Sequence, residues 1–127
     1  MKQVLLLDDN AAQLTIRQLV LRKAGLESHV ATTAQSALAF LRSEPGQEKI
    51  GLVITDHLMP GTDGTEFVQQ LRAFNSDIPV IVISGLAEAE PEYEGLNVEF
   101  RTKPCEPEDL ISLVRAKLNN PEHRATA

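Results

Sequence analysis

The stretch Leu52-Val53-Ile54-Thr55-Asp56 decides the fold. A short, continuous apolar run reads as a strand covered on both faces. It ends in an acid, and the segment 57–64 that follows carries Pro60, Gly61 and Gly64, the composition of a loop. The same pattern recurs on either side. Val4-Leu5-Leu6-Leu7 stops at Asp8-Asp9-Asn10, and Pro79 introduces Val80-Ile81-Val82-Ile83, which stops at Ser84-Gly85. Leu26 to Thr32 is a weaker strand. Val98-Glu99-Phe100-Arg101 is the last one, followed by Lys103-Pro104.

Helical stretches fall between these runs. Ala11 to Ala24 carries Leu14, Leu19, Val20 and Leu21, with Gly25 just past Arg22 and Lys23 as a stop signal. Thr33 caps a short helix through Leu41. Glu44-Pro45-Gly46-Gln47 has the composition of a loop. Thr65 to Phe74 is a helix with Phe67, Val68 and Leu71 facing inward. In the segment 86–96, Glu88, Glu90, Glu92 and Glu94 surround Pro91. Acids at every second position build no helical face and Pro91 removes a donor, so a short or irregular helix is expected. The acidic run is expected to be a solvated face. Pro107 sits at a first helical position, and Leu110, Ile111, Leu113, Val114 and Leu118 form the stripe of the final helix. Glu106 is a poor cap for it. Five strands alternating with about five helices imply a single α/β domain with a doubly wound parallel sheet and right-handed crossovers. The domain is expected over 1–119, with 120–127 a frayed tail.

Composition narrows the function classes. The chain has 127 residues, enough for one core, and 43% are hydrophobic but only 4% aromatic, so aliphatic side chains fill the interior. A net charge of −6 argues against direct nucleic-acid binding and against a polybasic membrane anchor. The one cysteine, Cys105, permits no intrachain disulfide, which suits a reducing compartment. The apolar run Val4 to Leu7 is far short of the roughly 7–15 residues of a secretory core. A cytoplasmic protein without membrane contact is expected. A stand-alone relay protein and a domain cut from a larger hybrid kinase are equal expectations, although Met1 and the tail favour a natural start.

The chemistry stands at the carboxyl ends of the strands: Asp8 and Asp9 after the first, Asp56 at the end of the third, Ser84 after the fourth and Lys103 after the fifth. In an open α/β sheet, ligands bind beyond these ends. Three carboxylates packed together raise one another's pKa, and a divalent cation relieves the repulsion. An all-oxygen donor set suggests magnesium, with manganese as the alternative. Such an ion can also offset charge during phosphoryl transfer. Asp56 is then a nucleophile able to form an acyl phosphate, with Lys103 and Ser84 placed to meet phosphoryl oxygens.

These residues resemble the receiver domains of two-component response regulators. The matching pieces are Asp8-Asp9-Asn10, Asp56-His57-Leu58-Met59-Pro60-Gly61, Asp63-Gly64, Ser84-Gly85 and Lys103-Pro104, across about Lys2 to Leu118. Each is weak alone; together, in order, they are specific. The resemblance implies a flavodoxin-like sheet in the order 2-1-3-4-5 and a cis Lys103-Pro104 bond. It implies that Asp56 accepts a phosphoryl group from a phosphohistidine on a histidine kinase or histidine phosphotransfer protein. Asp9, Asp56 and the Leu58 carbonyl would bind magnesium directly, and Asp8 through water. Ser84 and Phe100 would form the switch, read out on the face made by the 86–96 segment, the last strand and the last helix. Phe100 has no phenol, so ring burial alone must report the state. Such a protein is a switch, not an enzyme, beyond its own phosphotransfer and dephosphorylation. The short interval from Ser84 to Lys103 resembles receivers fused to hybrid histidine kinases.

Blander readings compete. Asp8-Asp9 could merely cap the first helix. His57 adjoins Asp56, but side chains alternate along a strand, so it is expected to point away. His29 and His123 read as surface residues. An aspartyl-phosphate phosphohydrolase would want a second Asp where Leu58 stands, as general acid. A flavodoxin would want a Ser/Thr-rich phosphate loop in place of Asp8-Asp9. A degenerate receiver that only binds partners is the remaining alternative.

Leu58 and Leu86 lie two residues past Asp56 and Ser84, at positions that in the family flank the attacking water. Both are apolar and cannot orient it, so self-dephosphorylation is expected to be slow. Replacing Leu58 with Asn is expected to shorten the phosphoryl half-life, timed on the phosphorylated protein. A half-life equal to wild type or longer removes this role.

Overall fold

The computed structural model describes residues 2–119; the expected tail 120–127 and His123 lie outside the described residues. Strands β1 (Gln3–Leu7), β2 (Ser28–Ala31), β3 (Ile50–Asp56), β4 (Val80–Ser84) and β5 (Glu99–Thr102) alternate with helices α1 (Ala11–Lys23), α2 (Ala34–Arg42), α3 (Glu44–Lys49), α4 (Gly64–Phe74) and α5 (Pro107–Leu118). A 3-10 helix, Ala87–Tyr93, stands between β4 and β5. The strands form one parallel sheet in the order β2-β1-β3-β4-β5, as the resemblance implied. The Lys103-Pro104 bond is cis.

The two-residue period of the strands divides the core into two. Leu5, Leu7, Val53, Val80 and Val82 face the layer built by α2 and α4, with Phe67, Val68, Leu71 and Tyr93. Val4, Leu6, Leu52, Ile54, Ile81 and Ile83 face the layer built by α1 and α5, with Leu14, Leu21, Leu110 and Val114. The continuous apolar runs are thus explained: β1, β3 and β4 are covered on both sides, and Leu5, Leu6, Val53 and Ile54 are fully buried.

Two expectations need correction, and one apolar residue of α1 faces outward. The segment Glu44-Pro45-Gly46-Gln47 is not a loop but the start of α3. Ser43 caps it, accepting from the Gly46 amide at 3.1 Å while donating to the Phe40 carbonyl at 2.6 Å. Pro45 sits in the first turn, where no donor is needed. Gly46 is present for closeness to α2, since a Cβ there would lie 1.8 Å from the Phe40 carbonyl oxygen. On α1, Leu19 is 47% exposed, and Arg17 takes the inward position between Leu14 and Leu21. His29 is half-buried and stacked on Phe40, with ring centroids 3.9 Å apart, rather than on the open surface.

The segment 86–96 holds the short, irregular helix expected. Its acids Glu88, Glu90, Glu92 and Glu94 are exposed, while Ala89 and Tyr93 are buried beneath. Arg72 on α4 secures the chain that follows, donating to the carbonyls of Leu96 at 2.9 Å and Asn97 at 2.9 Å, and ties it to the Ile78 carbonyl ahead of β4 at 2.8 Å. Glu106 makes no side-chain cap bond to α5, as its chemistry suggested.

Gly46→Ala is expected to destabilise the fold by about 2–3 kcal/mol, because the backbone of α2 must shift to admit the methyl. Urea unfolding followed by circular dichroism measures the loss. A change under about 0.5 kcal/mol would mean that α3 is free to move off α2.

Candidate functional site

The sheet order seats β1 beside β3, and β3 beside β4, with Leu7 opposite Thr55 and Asp56 opposite Ile83. The polar residues that end these strands therefore gather at one edge. Asp8, Asp9 and Asp56 each offer a carboxylate oxygen, and these oxygens lie within 4.8 Å of one another. Asp8 is fully buried, Asp56 is 8% exposed and Asp9 is open to solvent.

Local bonds fix the orientation of each group. Asp8 accepts from the Asn10 amide at 2.9 Å. Asn10, not an aspartate, caps α1 by accepting from the Gln13 amide at 3.0 Å, so the capping explanation of the acidic pair fails. Asp56 accepts from the His57 amide at 2.8 Å through Oδ1, and its Oδ2 lies 3.2 Å from Lys103 Nζ. The Lys103 amide donates to the Ser84 carbonyl at 2.8 Å, which ties the end of β5 to the end of β4. Ser84 is fully buried and its Oγ accepts from the Leu86 amide at 3.0 Å. Asp63 caps α4 through the Glu66 amide at 2.9 Å. Gly64 is required beside it, because a Cβ would stand 2.8 Å from the Asp56 carbonyl oxygen and 2.3 Å from the Tyr93 hydroxyl. Leu58 lies in the loop after β3 with 57% of its surface exposed. Lys103 also lines an open groove of about 560 Å³, with Gln13, Ile16, Arg17 and Val20.

The electrostatics follow from this crowding. Burial holds the Asp8 carboxyl above the ordinary carboxylate range, and the Asp56 charge adds to the effect; the Asn10 amide, Arg17 and Lys103 oppose it. Three carboxylates with one member out of water are a donor set short of positive charge. All-oxygen ligands of this kind suit a hard divalent cation that keeps part of its water shell. Chemically, the site can bind a cation and can offer Asp56 as a nucleophile beside the Lys103 ammonium.

The structure therefore brings together Asp8, Asp9, Asp56 and Lys103. Ser84 and Phe100 stand on the other face of the sheet edge, in line with Val80 and Val82 rather than with Ile81 and Ile83. Phe100 is half-buried against Tyr93, with ring centroids 5.8 Å apart. Two participants escaped the sequence reading. Arg17 pairs with Asp8 at 3.4 Å, both side chains being buried; its signal was an arginine in register with Leu14 and Leu21. His57 does point away from Asp56, yet into a packed contact, with Nδ1 2.7 Å from the Tyr93 hydroxyl.

Comparison with known proteins adds a family. Residues 4–115 match the family model described as the response regulator receiver domain. The phosphate regulon transcriptional regulatory protein PhoB of Pseudomonas aeruginosa is 30% identical, over 92% of this chain and 52% of its own length. A CheY-like receiver domain protein from Methanospirillum hungatei superimposes with a TM-score of 0.87 at 25% identity, covering 100% of this chain and 99% of that one. The receiver domain of a signal transduction histidine kinase from Syntrophus aciditrophicus does so with a TM-score of 0.80 at 26% identity, covering 93% and 90%. The chain spans about half the length of the curated relatives it matches. No helix among the described residues is long and apolar enough to cross a membrane.

The raised Asp8 carboxyl gives a pH prediction. Folding holds its proton to a higher pH than the unfolded chain does, so its contribution favours folding at low pH and is lost as pH rises through the folded value. Arg17→Met removes a charge that lowers this pKa and is expected to move the titration further upward. Carboxyl carbon shifts followed against pH in the metal-free protein check it. A downward move would overturn the assignment of Arg17 as the partner of Asp8.

Proposed function

The chain belongs to the response regulator receiver domain family, and from that premise we propose that it is a magnesium-dependent phosphorylation switch whose acceptor is Asp56. The observation that carries this reading is the Lys103 ammonium 3.2 Å from Asp56 Oδ2, beside a trio of carboxylates within 4.8 Å of one another. Lys103 and Arg17 are two cations against three carboxylates, which suits a site completed by an incoming metal and phosphoryl group. Asp8, Asp9 and Asp56, with the Leu58 carbonyl, would hold magnesium, which when bound would offset the charge of the phosphoryl oxygens.

The donor is a phosphohistidine on a histidine kinase or histidine phosphotransfer protein. An Asp56 carboxylate oxygen attacks phosphorus, an O–P bond forms, and the P–N bond breaks with its electron pair leaving on the imidazole. Lys103 then has a phosphoryl oxygen in reach as well as Asp56. Ser84 has its hydroxyl proton to donate to another, while its oxygen still accepts from the Leu86 amide. Ser84 and Phe100 lie on the same face of neighbouring strands, with Val82 opposite Phe100 and Ser84 opposite Thr102. A hydroxyl drawn inward would open space on the side of the ring. The readout face is then the 3-10 helix, β5 and α5. The output is a protein contact, since a net charge of −6 does not favour direct nucleic-acid binding.

One observation favours a second reading. Arg17 already supplies a buried cation to Asp8, so the trio is partly neutralised without metal, as a receiver acting only as a partner-binding module would need.

The test is incubation of the full chain with acetyl phosphate and magnesium, read by intact mass, with Asp56→Asn and metal-free samples as controls. A single phosphoryl adduct that needs both Asp56 and magnesium is expected. A folded, magnesium-binding protein that takes no phosphoryl group, even from a phosphohistidine donor, would overturn the switch in favour of the binding module.

A further inference from the structure

A second cluster lies at the end of β3, turned away from the carboxylate trio. His57, Asp63 and Glu92 each offer one ligand atom, and these atoms lie within 4.8 Å of one another. They come from three separate segments: the residue after β3, the cap of α4 and the 3-10 helix. His57 is 4% exposed. Asp63 uses Oδ1 for the Glu66 amide. Among the described residues, neither Asp63 nor Glu92 is paired with a lysine or arginine.

Geometry turns the far nitrogen of the His57 ring toward the carboxylates. Thr65 lies 3.3 Å from Glu92 Oε1, and a carboxylate can only accept, so the Thr65 hydroxyl donates to Glu92. His57 Nδ1 and the Tyr93 hydroxyl are 2.7 Å apart and share one hydrogen bond, which holds the ring in place. Nε2 is then left 3.8 Å from Glu92 Oε2, beyond hydrogen-bond range, in a cluster that also holds the Asp63 carboxylate. With its proton on Nδ1, the ring presents a lone pair at Nε2, and a cation seated among these groups would satisfy it. Metal bonds of about 2.0–2.2 Å to nitrogen and to oxygen bridge a gap of this size. An imidazole whose other nitrogen donates to a fixed acceptor is oriented as a metal ligand is.

We propose that His57, Asp63 and Glu92 form a site for a divalent transition metal of the zinc class, separate from the all-oxygen trio of Asp8, Asp9 and Asp56. One imidazole and two carboxylates form the protein ligands, with coordination left open to water. The site joins the loop after β3 to the 3-10 helix, so a bound ion pins Tyr93, and with it the ring beside Phe100. The rival occupant is a proton on Nε2, directed at Glu92.

Zinc is titrated into the full chain by calorimetry with excess magnesium present, so that the carboxylate trio is masked. The imidazole nitrogens are followed by NMR in the same samples. One zinc per chain is expected, with the His57 Nε2 resonance responding. Glu92→Gln alters an exposed side chain and keeps the fold; it and Tyr93→Phe are each expected to weaken zinc binding roughly tenfold or more. Asp9→Asn is expected to leave zinc binding unchanged. Zinc binding that is lost in Asp9→Asn and survives Glu92→Gln would overturn the site, as would a His57 resonance that ignores zinc. Neither result touches the role of Asp56, which the phosphorylation assay reads separately.

Discussion

A strand covered on both faces has nowhere to place a charged side chain until the covering stops. β3 is such a strand, with Leu52, Val53 and Ile54 fully buried, and its first acid is its last residue, Asp56. β1 is another, and its first acid, Asp8, follows immediately after it. Because all five strands run the same way, their ends share one edge. Because β1 lies beside β3, the acids at those ends meet. The apolar core thus creates the like-charge contact on which the proposed chemistry rests.

Two cations manage that contact in different ways. Arg17 reaches Asp8 from within the packed face of α1, where both side chains are shielded from water and a lost partner would be costly. It is a fixed part of the scaffold. Lys103 is 30% exposed at its side chain and stands at the end of β5, held through its own backbone to Ser84. Its ammonium pays little in desolvation to exchange one oxygen for another. A switch of the kind proposed needs this inequality: one carboxylate permanently oriented, and one cation free to follow a phosphoryl group.

Most of the fold was legible because its determinants are local in sequence. Short apolar runs, each ended by an acid or a serine, define β1, β3 and β4 and the site edge together, and Thr33 and Pro107 mark helix starts by their own chemistry. What escaped depended on contacts between distant segments. Gly46 and Pro45 have loop composition, and only the approach of α2 shows why a glycine belongs inside α3. Arg17 looks like a surface charge until Asp8, nine positions earlier, is seen beneath it. Alternation sent His57 away from Asp56 correctly, but nothing local revealed that Tyr93, 36 residues on, would receive it.

That last contact bears on how this chain could report its state. The 3-10 helix is short, contains Pro91 and has acids on its outer side, so it has little helical stability of its own. Its place is set by Tyr93, whose ring meets His57 at 5.6 Å and Phe100 at 5.8 Å between centroids. Phe100 has no hydroxyl to engage a partner, and the one phenol in this region belongs to Tyr93, which bonds to the residue next to Asp56. Asp56 and His57 share a peptide bond but face opposite layers of the core. The end of β3 therefore touches both sides: the carboxylate trio through Asp56, and the 3-10 helix through His57 and Tyr93. With only a 3-10 helix here, the aromatic rings of Tyr93 and Phe100 form the packed connection between the end of β3 and the outer face.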